Sequence, residues 1–392
     1  MEYATPHRFH SAHPNNAALP ASVWSHLSLP SPALRATVII PAKDEADALP
    51  STLAALAAQT NEKGQPLPPG SFEVLVLANN CTDNTAAVVR TFAANHPTLA
   101  LHVAELTLPP AEAHVGRARR LLMDEAAHRL ELAGQPRAAI ISTDADTRVA
   151  PDWLAATFRE LELGVDAVAG RILMEESSRA CPVRRCQLQD ATCQLLRVQL
   201  ETQLDPQPHD PWPRHHQHFG ASLAVTVAAY RQVGGLPVVP FLEDEALYQA
   251  LLRHDLRVRH SPAVRVFTSG RQQGRVAVGL SWQLREWARL GQQQLVPNPA
   301  TLVQELNLRR QLRQQWRLAQ SRETPERVVS GPEEVPAEVL AALPSYATFG
   351  AYWDWARPQL LLSSSPEDQV PLVLAISILR TELARASTLA YG

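Results

Sequence analysis

Asp144-Ala145-Asp146 puts two carboxylates one residue apart, directly after the apolar run Ala138 to Ile141 and with nothing basic between them. Carboxylates that end a buried segment are costly unless a cation joins them. Mg2+ or Mn2+ prefers oxygen ligands and commonly takes one or two carboxylates together with substrate phosphate oxygens. An ion held by Asp144 and Asp146 would bridge the protein and a diphosphate and neutralise charge on a departing nucleoside diphosphate. The competing reading is plain helix capping by Asp146 or Asp152, ahead of the helix that Pro151 opens.

A second acidic group lies in "FLEDEALYQALL", where Glu243, Asp244 and Glu245 open a helix whose Leu247 and Leu251 face inward. Acids at a helix start are favoured by its dipole, which is a sufficient structural reason for them. The chemical reading is a general base: an Asp beside a sugar or alcohol hydroxyl accepts its proton as the oxygen attacks. The run follows "GASLAVTVAAYRQVGGLP", whose glycines permit close backbone approach to a ligand.

The elements that must position these groups follow from periodicity. Strands are expected at 36–42, 73–78, 99–106 and 138–143, and helices at 83–96 and 116–134. Between the first two strands comes a helix with Asp47 as its cap, Pro50 in its first turn and Leu49, Leu53 and Leu56 on one face. A further helix follows Pro151, with Leu154, Phe158 and Leu161 inward and Gly164 as its stop. Strands alternating with helices imply right-handed crossovers and an α/β fold with a mixed, mostly parallel sheet flanked by helices. Ligands bind such sheets beyond the carboxyl ends of the strands. Asp44-Glu45, Asn79 to Asp83 and Asp144 to Asp146 all fall there, on three separate loops.

Residues 1–33, rich in Pro, His, Asn and Ser, are expected to form a flexible arm ahead of a main domain at 34–275. From 276 to 392 the pattern becomes helical, a C-terminal extension. With 45% hydrophobic residues among 392, the chain can bury a sizeable core, and a net charge of −3 argues against nucleic acid as a partner. Four cysteines in so long a chain fit a reducing compartment rather than a disulfide framework. No stretch approaches the ~18 apolar residues of a membrane span, and the first residues lack the pattern of a signal peptide. A cytoplasmic protein is expected, with peripheral membrane contact left open.

The ordered set "VIIPAKDE", "VLANNCTDNT", "DADT", "GASLAV…YRQVGGLP" and "EDEAL", over residues 36–270, resembles the family 2 glycosyltransferases with the GT-A fold. The resemblance implies an inverting transfer from a nucleotide-sugar donor to an acceptor hydroxyl (on a metabolite, lipid or glycan), without a covalent sugar intermediate. It implies a nucleotide pocket at Pro41, Ala42, Asp44, Glu45, Asn79, Asp83 and Asp144, a metal at Asp144 and Asp146, and Asp244 as the base. "VGRARR" resembles the family's Gly-X-Ala-Arg segment and brings Arg119 toward the nucleotide; the alternative is a solvated face of Arg117, Arg119 and Arg120. Two departures stand out. The family's base-reading Asp is Ala78 here, followed by Asn79, so uracil is not implied. Thr268-Ser269 stand where many relatives carry a metal-reaching His. Arg271 and Arg275 are then candidates for the diphosphate, since a guanidinium fork matches phosphate oxygens, and Glu243 for the diphosphate or acceptor side.

Other constellations are weaker. His215, His216 and His218 follow Cys181, Cys186 and Cys193, but Cys-X4-Cys-X6-Cys is not a usual zinc spacing. The cysteines read better as buried small residues, and the histidines as a polar loop at the acceptor mouth. Trp282 and Trp287 read as core residues of the appended helices. A nucleotidyltransferase would want glycines beside Lys43, which are missing, and a non-catalytic scaffold would have no use for Asp146 and Asp244.

Overall fold

The computed structural model describes residues 23–135, 137–174, 182–268, 280–290, 294–320, 335–360 and 368–391. The chain runs through β1 (Ala36–Ala42), α1 (Leu49–Ala57), β2 (Phe72–Asn79), α2 (Thr85–Asn95), β3 (Ala100–Leu106), α3 (Val115–Ala133), β4 (Ala139–Ser142), β5 (Thr147–Val149), α4 (Trp153–Glu162) and β6 (Ala167–Met174). Next come α5 (Pro182–Leu204), β7 (Leu223–Thr226), α6 (Val227–Gln232), α7 (Glu243–Arg253) and β8 (Val258–Thr268). The remainder is α8 (Leu280–Leu290), β9 (Leu295–Pro297), α9 (Pro299–Gln320), α10 (Ala337–Ala341), α11 (Phe349–Leu360), β10 (Gln369–Pro371) and α12 (Leu372–Tyr391).

Eight strands form one sheet in the order β3-β2-β1-β4-β7-β6-β8-β5. Pairing is parallel from β3 through β4 and again between β6 and β8; β7 and β5 are antiparallel to their neighbours. Alternate strand residues feed two apolar layers. Val38, Ile40, Val74 and Val76 pack with Leu49, Leu53, Leu56, Trp153 and Leu154 on one face. Ile39, Leu75 and Leu77 pack with Leu122, Met123, Leu130, Tyr230 and Leu251 on the other. The expected α/β sheet flanked by helices is therefore present.

Three local expectations are corrected. Asp47 does not cap α1: Ala48 holds that position with no side-chain bond, and the Glu45 carbonyl receives the amides of Ala48 and Leu49. The extension is not wholly helical, because β9 and β10 pair antiparallel. Trp282 is exposed, whereas Trp287 is buried against Cys186. Cys193 is buried in a third apolar cluster, with Leu200 of α5, Leu306 of α9 and Leu379 of α12. Cys181 and the first residues of the arm lie outside the described residues.

Candidate active site

The sheet order reverses between β1 and β4, and the two strands part at their carboxyl ends. The Ile39 carbonyl still accepts the Thr143 amide at 3.1 Å. Two residues on, Pro41 faces the same side without an N–H to give, so the ladder stops there. The crevice opens at this switch point, the place where ligands enter open α/β sheets. The loop after β1 carries Asp44 and Glu45, and the turn after β4 carries Asp144 and Asp146. Asn79, at the end of β2, is buried, and Ala42 pairs with Ala78 beside it.

The first two loops are tied to each other. Asp44 Oδ1 accepts the Thr82 amide (2.6 Å), the Thr82 hydroxyl and the Asp83 amide. In return, Asp83 Oδ2 accepts the Ala46 amide at 3.0 Å, and its other oxygen accepts from Thr85. The Thr82 amide bond leads in holding the Asp44 carboxyl below its usual range. Burial works against ionised Asp83, but its bonds from Thr85 and Ala46 prevail and hold it low as well. Asp44 and Asn80 have φ of 52° and 51°, a left-handed backbone that Asp and Asn tolerate. Asp44, Cys81 and Asp83 bring three ligand atoms within 4.8 Å of one another, the one such grouping found among the described residues. Their oxygens are occupied by loop N–H and hydroxyl donors, which accounts for the cluster as a loop lock.

One buried guanidinium organises the other side of the crevice. Arg119, on α3, is not part of a solvated face. Its Nη2 donates to Asp144 Oδ1 at 3.0 Å and its Nε to Glu243 Oε1 at 2.9 Å. Its Nη1 donates to the Gly220 carbonyl at 3.2 Å and to Ser142 Oγ. Asp244 Oδ2 accepts the Gly220 amide at 2.7 Å, and its Oδ1 accepts the Glu245 amide at 2.8 Å. Four chain segments thus meet on Arg119 and Gly220, which bring Asp144, Glu243 and Asp244 together. Burial raises the Asp144 carboxyl above its usual range against the pull of Arg119, and Asp146 and Asp244 add to the rise. Burial likewise raises Glu243. For Arg119 itself, burial is overcome by Asp144, Glu243 and Asp244, so it is held firmly protonated. Two carboxylates, Asp144 and Glu243, pair with Arg119, and Asp144 and Asp146 are oxygen donors of the kind a divalent ion takes. Asp144 and Asp146 fit that ion as hard donors, with its other positions left to substrate oxygens and water. Thr268 pairs with Thr147, immediately beside Asp146, so a hydroxyl residue does occupy that flank.

Two glycines of the 220–237 segment make room for arginines. A Cβ on Gly220 would lie 2.6 Å from Arg119 Cζ, and one on Gly235 would lie 2.7 Å from Arg120 Cζ. What approaches these two backbones closely is an arginine side chain.

His218 Nε2 meets Glu245 Oε2 at 2.5 Å, and its ring stacks on Tyr248 at 3.9 Å. Leu242, at φ 58°, turns the chain into the acidic start of α7; such strain in a bulky residue persists where surrounding structure enforces it. Arg119 as a shared counter-ion was not legible in the sequence, where Arg117, Arg119 and Arg120 stand together and nothing marks which one is buried. Arg271 and Arg275 lie outside the described residues.

Residues 37–185 match the model of the family described as Glycosyl transferase family 2. The resemblance read from the motifs is shown for that segment, which holds the first three loops and ends before Gly220 and Asp244. Among solved structures, the chain is similar to the mannosyltransferase PcManGT from Pyrobaculum calidifontis in complex with GDP-Man and Mn2+. Identity is 19%, with 93% of this chain and 80% of that one covered and a TM-score of 0.45. S. aureus TarS 1-349 in complex with UDP shows 14% identity, 73% and 79% coverage and a TM-score of 0.43. The same protein with UDP-GlcNAc shows 13% identity, 75% and 77% coverage and a TM-score of 0.45. No curated protein matches.

Proposed function

We propose that the protein is an inverting glycosyltransferase that moves a sugar from a nucleoside-diphosphate sugar to an acceptor hydroxyl. The observation that carries this is the linking of Asp144 and Asp244 through Arg119 and Gly220. Asp144 and Asp146 would hold Mg2+ or Mn2+; when bound, such an ion neutralises charge on the donor diphosphate. Pro41, Ala42, Asp44, Glu45, Asn79 and Asp83 form the wall for the nucleotide. Arg119 and Glu243 act by positioning, because their contacts are to each other and to the protein around the cleft. Arg271 and Arg275 remain the proposed cationic partners of the diphosphate.

Two backbone amides fix the orientation of Asp244. As the acceptor oxygen bonds to the anomeric carbon, Asp244 takes its proton, and the bond from that carbon to the diphosphate oxygen breaks on the opposite face. The described cysteines, Cys81, Cys186 and Cys193, are free thiols, in keeping with a cytoplasmic location. We retain 34–275 as the catalytic unit and 276–392 as its extension.

The test begins with a thermal-shift screen of nucleotide-sugars with and without Mn2+, since a bound ligand stabilises the folded state. Release of nucleoside diphosphate is then measured for Asp146→Ala and Asp244→Ala with the donor found. Each variant should lose on the order of a hundredfold or more. Full activity in both would overturn these roles.

A further inference from the structure

Residues 309–317 read "RRQLRQQWR", four arginines in nine residues with no acid, in a chain whose net charge is −3. They lie on α9, and Arg310, Arg313, Gln314 and Arg317 recur at the spacing that puts side chains on one helical face. Together with Asp205 and Pro206, at the end of α5, they line a cavity of about 170 Å³. A water molecule's share of the liquid is about 30 Å³, so the cavity has room for a phosphate group and several waters.

Among the described residues, the charges around this cavity do not balance. Asp205 is almost wholly buried and receives Arg309 Nε at 2.6 Å as well as Arg313 Nη1. The neighbouring carboxylates are engaged elsewhere: Glu201 with Arg214 at 2.6 Å and Glu305 with Arg357 at 2.6 Å. Arg310 donates only a long bond, 3.4 Å, to the Leu204 carbonyl. Among the described residues, Arg317 has no ion pair. Burial, with Arg309 and Arg317 nearby, pulls the Arg313 guanidinium below its usual value despite Asp205. Like charges held this close are relieved by an anion from outside.

We infer that the Asp205–Arg317 cavity is a binding site for a phosphate group, with Arg310 and Arg317 as its gripping forks and Arg313 at its floor. Guanidinium forks match phosphate oxygens two at a time, which suits arginine better than lysine to this ligand. The site joins α9 of the extension to the end of α5 and shares no residue with those assigned to sugar transfer, so it stands whether or not that assignment does. The phosphate could be carried by a soluble molecule or by a lipid headgroup.

The full-length chain and Arg310→Gln/Arg317→Gln are titrated with inorganic pyrophosphate by calorimetry, in low salt and EDTA. Both are also sedimented with vesicles of phosphatidylglycerol and of phosphatidylcholine. Arg310 and Arg317 are exposed, so the double variant should keep the parent's melting temperature. Arg231→Gln, which removes a cation elsewhere, serves as the control. At least tenfold weaker pyrophosphate binding in the double variant alone establishes a soluble phosphate ligand. Selective loss of phosphatidylglycerol binding establishes a headgroup. The proposal is overturned if the parent binds neither probe, if the double variant binds as the parent does, or if Arg231→Gln loses as much.

Discussion

Gly220 lies flat against the Arg119 guanidinium, with no room for a side chain between them: its Cβ would sit 2.6 to 2.8 Å from three guanidinium atoms. Those atoms cannot retreat without releasing Asp144 or Glu243. Gly220→Ala should therefore destabilise the fold by about 1 to 3 kcal/mol, the usual cost of overpacking. It should also lower activity, because the Gly220 amide orients Asp244. Urea unfolding and initial rates check both; a variant equal to the parent in both removes Gly220 from the site.

Arg119→Met leaves Glu243 buried without its cation, a change that typically costs about 3 to 5 kcal/mol. Burial already raises the Glu243 carboxyl, and losing the guanidinium would raise it further. An acid whose folded-state value is raised is penalised above that value and relieved below it. The deficit relative to the parent should therefore shrink as pH falls toward 5. A deficit independent of pH, measured by urea unfolding, would assign it to lost packing alone.

His215 gives the fold an acid sensitivity. Its Nδ1 accepts the Gln217 amide at 3.1 Å, and its Nε2 faces the Ser261 carbonyl at 3.2 Å, which fixes a neutral ring with the proton on Nε2. Burial pulls it down to about 3. The unfolded chain takes up a proton near 6.5 and the folded chain does not, so stability falls as pH drops below 6.5. At pH 5 this residue alone should cost about 2 kcal/mol. His216 and His260 are also held low, first by burial, and act in the same direction. In His215→Gln, the drop in urea midpoint between pH 7 and pH 5 should be smaller; an unchanged drop contradicts the assignment.

His218 clamps the loop before Gly220 onto α7 through Glu245. His218→Asn should shift Asp244 relative to the acceptor and lower kcat between about ten- and a hundredfold. KM for the donor should hold, since His218 meets Glu245 and Tyr248 of α7 and the rings of Phe219 and His260, away from the loops after β1 and β2 in sequence. A rise in donor KM at constant kcat would place this loop in the donor site instead.

Chelation should remove nucleotide-dependent thermal stabilisation, and Mn2+ or Mg2+ should restore it in the parent but not in Asp146→Asn. Full stabilisation in EDTA would show that nucleotide binding needs no ion at Asp144 and Asp146.

The strands and helices through residue 164, apart from the three-residue β5, were legible in the sequence, because period-2 and period-3.6 apolar patterns are local and most strands here are nearly continuous apolar runs. The sequence also determined that three acidic loops share one sheet edge, since parallel crossovers leave no other place for them. It could not show that Asp44 and Asp83 lock each other's loops, that Gly220 makes room for an arginine, or that Arg119 joins Asp144 to Glu243. Those pairs are 25 to 124 positions apart in the chain, and which buried charge answers which depends on sheet order, decided only when β7 inserts between β4 and β6. Short-range periodicity carries no record of that choice, because it is made by the packing of whole elements rather than by any one of them.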